Sequence, residues 1–310
     1  MCIRDRYGGL SSVWDYGPIG VEIKRNVKNL WWKSFVSERD DIFGIDASIL
    51  MHPNVWKASG HLESFSDPLV ECSNTGKRYR EDHIFILEIE AKKENKIIAV
   101  EASDKLEAEK LVKDKIISII PLAESENKDN PSPDGGILSE PKNFNLMFKT
   151  FIGPVEDSSS TIYLRPETAQ AMFVNFLNVL NSSRKKIPFG IAQQGKSFRN
   201  EITPGNFTFR TREFEQMEME FFCSPDDDEK WHDYWIQFSL DWFKKYGIRE
   251  ENLMIRKHES EELPHYSKAS SDIDYLFPWS WGELETISNR TDYDLKACLL
   301  YTSDACRRRG

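Results

Sequence analysis

The segment Phe198–Phe222, FRNEITPGNFTFRTREFEQMEMEFF, concentrates the side chains best suited to a nucleotide and a small cation. It reads as an antiparallel hairpin that turns at Pro204-Gly205-Asn206. In the return strand Phe214, Gln216, Glu218 and Glu220 occupy even positions, whereas Met217, Met219 and Phe221 are odd and apolar. Side chains alternate across a strand, so one face enters a core while the other shows a ring and carboxylates. On the outgoing strand Ser197, Arg199 and Glu201 share a face in the same way. A guanidinium, acids and a flat ring are thus expected on one side of a sheet. An ordinary amphipathic hairpin with its charges in water would show the same alternation.

Other elements must hold this hairpin in place. Trp14-Asp-Tyr-Gly-Pro18 reads as a turn into a helix, with Pro18 in its first turn. Ile19, Ile23, Val27, Leu30, Trp31 and Phe35 then recur at helical spacing. A strand is expected within Ile42–Met51. Residues 84–141 change character, with a strand-like IIAVEAS, a helical DKLEAEKLVKDKI and a turn-rich ESENKDNPSPDGG. They read as an insertion containing a mobile stretch near Glu124–Gly136. Tyr163-Leu-Arg-Pro-Glu167-Thr-Ala-Gln170 opens a helix with Met172, Phe173, Phe176, Leu177 and Leu180 on its apolar side. Glu167 sits where that helix begins, and the helix dipole alone would explain an acid there. Glu229–Tyr246 reads as an amphipathic helix rich in Trp and Phe. Trp281, Glu283, Glu285 and Ile287 alternate onto one strand face, followed by Arg290 and Asp294.

The 310 residues, 39% hydrophobic and 30% charged, describe a globular chain with one large core or two modest ones. No apolar run reaches membrane-spanning length, and no secretory segment is expected near the start. Cys2, Cys72, Cys223, Cys298 and Cys306 show no paired spacing, so reduced thiols in a cytoplasmic setting are expected rather than disulfides or zinc. A net charge of −10 argues against an all-over nucleic-acid binder, though not against a local basic path for RNA.

The hairpin resembles motif 2 of class II aminoacyl-tRNA synthetases, specifically the dimeric glycyl-tRNA synthetase family. YLRPETAQ, WGELE and NRTDYDL extend that resemblance over about Tyr7–Leu295. It implies an α+β fold, the class II catalytic domain, with a mainly antiparallel sheet flanked by helices and an inserted subdomain. Residues 1–83 and 142–296 would form the catalytic core, and the helix after Pro18 would be motif 1, at the interface of a homodimer. The implied reaction is ATP-dependent activation of glycine, followed by transfer to tRNA(Gly). Its ATP site would comprise Arg199, Asn200, Glu201, Phe209, Arg210, Thr211, Arg212, Glu213, Phe214, Glu283 and Leu284. Arg199 would hold the α-phosphate, Glu201 the adenine edge or its loop, and Phe214 would stack on adenine. Arg210 and Arg212 would take the outer phosphates, and Glu283 would help bind Mg2+. Glycine would meet Arg80, Glu167, Phe214, Glu215, Gln216, Met217, Glu218 and Arg290, with Glu167 and Glu218 against its amine.

Two departures accompany the match. Motif 3 and an anticodon-binding domain are not recognised, and residues 297–310, ACLLYTSDACRRRG, read as a non-native tail. A truncated or misassembled reading frame is therefore expected, with weak or absent activity in this polypeptide. Two other readings remain open. One is a synthetase-like ligase acting on a carrier protein or another acceptor. The other is a catalytically silent dimerising or RNA-binding relative.

Overall fold

A computed structural model describes residues 13–90, 95–102, 105–127, 129–156, 160–202, 204–260, 262–264 and 266–298. Cys2, Cys306 and nearly all of the expected tail lie outside the described residues. The described chain mixes helices with mainly antiparallel strands, an α+β arrangement. None of its helices is long and apolar enough to cross a membrane. It divides into two compact units, one containing residues 60–166 and 197–214, the other 18–59, 167–196 and the chain from Glu215.

In the first unit, strand Ser66–Glu71 pairs antiparallel with Arg78–Arg80 on one side and Lys142–Asn145 on the other. A second sheet places Ile84–Ile89 between Lys96–Glu101 and Ile116–Pro121. Strand alternation lets Ile84–Ile89 serve two cores. Phe85, Leu87 and Ile89 pack with Ala108 of helix Lys105–Leu111, while Ile84 and Ile86 pack with Val70, Tyr79 and Leu138. Turn-forming residues after Glu124 return the chain to the first sheet, where Leu138 bridges Cys72 and the Ser139 N–H donates to Glu71.

In the second unit, helix Pro18–Trp32 continues into a π-helical turn, Lys33–Ser37. Its apolar stripe has two fates. Leu30, Trp31 and Phe35 enter a core with Trp235 and Trp242, but Ile19 is 79% exposed, and Ile23 and Val27 are exposed too. Strand Ile42–Gly44 runs parallel to Phe189–Phe198, which neighbours the return strand Glu213–Phe222. Arg39 braces this region by bidentate bonds to Asp41 at 2.8 and 2.9 Å, while its guanidinium lies 4.8 Å from the Trp235 ring. The return strand behaves as its alternation predicts, with Met217, Met219 and Phe221 packed into the tryptophan-rich core.

The remaining sheet of this unit is an antiparallel meander of Leu253–Lys257, Ala269–Leu276 and Trp281–Asn289. Here the expected alternation fails. Ile273 lies opposite Glu285 and Asp274 opposite Glu283, so Leu284 is an extra, bulged residue. A bulge reverses side-chain direction, so Glu283 and Glu285 face opposite ways instead of sharing one side. Glu283 is exposed, whereas Glu285 accepts a 2.9 Å bond from Ser239 of helix Asp228–Lys245. Burial raises the Glu285 carboxyl to about 7, with the Ser239 hydroxyl pulling the other way.

A carboxyl raised in the folded state favours folding at pH values below its unfolded pKa, and that contribution disappears as pH climbs through the folded pKa. The stability of Glu285→Gln relative to the native chain should therefore rise by on the order of 2 kcal/mol between pH 5 and pH 8. Urea unfolding at the two pH values measures this difference, and a difference independent of pH would contradict it.

Candidate active site

Each unit gathers its own cluster of site residues. In the first, the regular strands stop at Phe198 and resume at Glu213, so Arg199–Arg212 is a loop rather than two strands closed by a tight turn. Pro204 lacks an N–H to continue a ladder, while Asn206 and Phe207 adopt left-handed backbone at φ 54° and 57°. The loop closes on itself through paired bonds between Gly205 and Arg210. It is tied at its base by the Arg199 N–H to the Arg212 carbonyl at 2.9 Å. Further in, the Asn200 N–H donates to the Leu146 carbonyl at 2.8 Å.

Those ties orient Arg199, whose Nε donates to the Pro166 carbonyl at 3.0 Å. Its guanidinium lies 5.5 Å from the ring of Phe65 and 5.3 Å from that of Phe214. Rings on a guanidinium restrict its rotamers and leave its remaining N–H groups for an anion. Arg80 bridges Asp67 at 3.0 Å and Asp82 at 2.6 Å, and it lies within the field of buried Glu201. Burial raises the Asp67 carboxyl, while Arg80 and Arg210 act to lower it. Arg80, expected with the amine-binding residues, thus shares its cluster with Glu201 and Arg210. Phe209 and Glu213 are exposed, and Thr211 donates its hydroxyl to the Glu213 carbonyl.

The second cluster forms around the start of helix Ala169–Val174. Thr168 is the N-cap, so Glu167 precedes the helix instead of lying in its first turn. The Thr168 N–H donates to Gln216 and Glu218 at 3.2 Å each, and its hydroxyl donates to Glu218 as well. Gln170 donates to Glu167 at 3.1 Å. Arg290 makes a bidentate contact with Asp294 at 2.7 and 3.0 Å and lies 4.1 Å from the Tyr266 ring. Burial acts to lower the Arg290 pKa, but Asp294, Glu220 and Glu167 outweigh it and raise it.

Glu215 and Met217 turn to the opposite side of the strand. Glu215 pairs with Lys24 at 3.4 Å and Lys28 at 2.9 Å on helix Pro18–Trp32, and Met217 joins the core. The structure therefore separates them from Gln216 and Glu218, as the odd positions of a strand require. Glu220, Asp294 and Tyr266 belong to this cluster although the motif match singled out none of them as site residues. Glu220 could have been found from the even face it shares with Glu218, and Asp294 from its i+4 spacing to Arg290.

On the meander, Glu283 faces the same side as its cross-strand partner Asp274, while Leu284 is the bulge. Burial raises the Asp274 carboxyl, with Arg256 opposing. Two carboxylates suit a magnesium ion held chiefly through phosphate oxygens and water. Among the described residues, no group of three or more His, Cys, Asp or Glu side chains could hold a metal ion alone.

Residues 150–299 match the family described as tRNA synthetase class II core domain (G, H, P, S and T). The chain is a homologue of glycine–tRNA ligases with a class II synthetase core. It is 52% identical over 292 residues to the glycine–tRNA ligase of Caldanaerobacter subterraneus subsp. tengcongensis, covering 94% of this chain and 60% of that protein. The Clostridium kluyveri glycine–tRNA ligase is 55% identical over 94% of this chain and 60% of its own length. For that of Geobacillus kaustophilus the identity is 51%, with 96% of this chain and 62% of the relative covered. The chain thus spans about three-fifths of the length of these relatives. Within the matched residues, the even face of strand Glu213–Phe222 bears the polar cluster and the odd face the packing.

Asp294→Asn would leave half-buried Arg290 without the buried bidentate carboxylate it binds. Removing one partner of a buried pair typically costs about 3 kcal/mol. Urea denaturation should show a loss of that order, and a change below ~0.5 kcal/mol would contradict the pairing.

Proposed function

We propose that this chain forms part of an enzyme that activates glycine with ATP and transfers it to tRNA(Gly) in the cytoplasm. The acid-rich cluster at Arg290 carries the reading: Asp294, Glu220 and Glu167 act on its guanidinium, Glu218 neighbours Glu220, and two of the guanidinium nitrogens already bind Asp294. Such a cluster favours one further compact cation with several N–H donors, which describes a primary ammonium group. Glycine has no side chain to grip, so its amine and carboxylate must provide the recognition.

Activation requires the glycine carboxylate to attack the α-phosphorus of ATP, forming glycyl-adenylate and releasing pyrophosphate. Negative charge grows on phosphate oxygens during that step, so oriented cations contribute more than a protein nucleophile. Arg199 is assigned to the α-phosphate, Phe214 to the adenine ring and Arg210 to the outer phosphates. Arg80 is assigned to an anionic group of the same substrates, and Glu283 with Asp274 to magnesium, whose bound charge would offset that of the phosphates. The buried setting of Glu201 supports assigning it to adenine or to the loop that receives it.

The exposed half of helix Pro18–Trp32 is assigned to a second copy of the chain, since Ile19, Ile23 and Val27 offer a helical stripe for self-association. Ile23→Glu should shift a dimer to monomer in sedimentation velocity, whereas an unchanged sedimentation coefficient would count against that interface.

Glycine-dependent exchange of pyrophosphate into ATP by the enzyme containing this chain tests the activity. Glu218→Gln should raise the glycine concentration needed for half-maximal exchange at least ~30-fold, with a much smaller effect on ATP; loss of one charged hydrogen bond has this scale. Exchange supported equally by alanine, or an unaltered glycine requirement, would refute the assignment.

A further inference from the structure

Charge is distributed unevenly along this acidic chain. Its net charge is −10, yet from Thr168 to Gly195 the charged residues are Arg184, Lys185 and Lys186 and no others. The three follow helix Phe176–Ser183, and all are exposed. Among the described residues none of them forms an ion pair, whereas Lys24, Arg39, Lys244 and Lys268 all do. Asp41, whose backbone carbonyl accepts from the Gly190 N–H just beyond this segment, has both carboxylate oxygens bound by Arg39.

Helix capping does not occupy these cations either. A helix C-terminus exposes carbonyls that basic side chains often satisfy. Here the Ser182 and Ser183 hydroxyls donate to the Val179 and Leu180 carbonyls at 3.2 and 3.5 Å, and the Lys185 N–H donates to the Ser183 hydroxyl at 3.4 Å. Arg184 adopts left-handed backbone at φ 54° and ψ 26°, a conformation disfavoured for a residue with a Cβ. Packing on both sides imposes it, since Val179 before the turn and Phe189 after it are buried in one core. The segment is thus a fixed turn that presents three successive cations to solvent.

We propose that Arg184, Lys185 and Lys186 form a docking patch for the phosphodiester backbone of RNA. The RNA is the tRNA of the reaction proposed above, so this inference rests on that reading. Cations that replace the condensed counterions of a polyanion release them, and exposed, unpaired Lys and Arg need break no ion pair to do so. An overall negative charge repels RNA from much of the surface, which makes an acid-free basic stretch a place where it can approach. Phosphate contacts of this kind position a nucleic acid without reading its sequence. The patch therefore contributes affinity and orientation for tRNA and leaves glycine activation, a step without RNA, unaffected.

Anisotropy of a labelled tRNA(Gly) transcript, titrated with the enzyme containing this chain between about 50 and 200 mM KCl, tests the patch. Changing all three residues together (Arg184→Gln, Lys185→Gln and Lys186→Gln) should weaken binding at least about tenfold and lower the slope of log Kd against log salt by about 2. Glycine-dependent pyrophosphate exchange without tRNA should be unchanged, which also shows that the variant is folded. Equal affinity and slope for the variant and the native enzyme overturn the proposal. If the triple variant does not fold, Lys185→Gln alone decides: its slope should fall by about 1, and an unaltered slope overturns the patch. A native enzyme that neither exchanges pyrophosphate nor binds tRNA would instead refute the reading on which the patch rests, so the two failures are distinguishable.

Discussion

The decisive physical constraint is the imbalance of charge around Arg290. Its guanidinium is mostly enclosed, carries Asp294 on two nitrogens and lies over Tyr266, yet three further carboxyls share the space. The acids here outnumber this guanidinium, and partial burial strengthens their mutual repulsion. Such an arrangement suits a cationic ligand. That preference links a local electrostatic fact to recognition of an amine.

The surrounding architecture keeps those acids from relaxing away from one another. Met217, Met219 and Phe221 anchor the return strand to the tryptophan-rich core, which fixes the side on which Gln216, Glu218 and Glu220 emerge. Thr168 then pins Glu218 through its backbone and its hydroxyl. Phe173, Phe189, Ile191 and Phe222 form a second core below the short helix that Thr168 caps. Packing thus provides the free energy that holds like charges together, as is common where a site is built against local electrostatics.

Much of this was legible in the sequence because strand periodicity is a strong signal. The alternation from Phe214 to Phe221 identified the polar and packed faces correctly, and the helical stripe of Leu30, Trp31 and Phe35 marked a core. Where the sequence misled, a local irregularity had broken the period. Leu284 bulges and sends Glu283 and Glu285 to opposite sides, and no residue type in WGELE announces it. The loop after Phe198 is longer than Pro204-Gly205-Asn206 suggested, because non-glycine residues there adopt left-handed backbone. Arg80 could not be assigned to its cluster by spacing, since its partners Asp67 and Asp82 reach it through a sheet and a turn. Glu215 and Met217 were carried along with their neighbours by the motif, although alternation alone places them on the other face.

The central claim is that the acids around Arg290 recognise a primary amine. A high-resolution structure of the protein with glycine, or with a non-hydrolysable analogue of glycyl-adenylate, tests it most directly. The account predicts the amine nitrogen within hydrogen-bonding distance of Glu218 and at least one other acid of the cluster. An amine bound elsewhere, with these carboxyls unchanged and solvated, would contradict it.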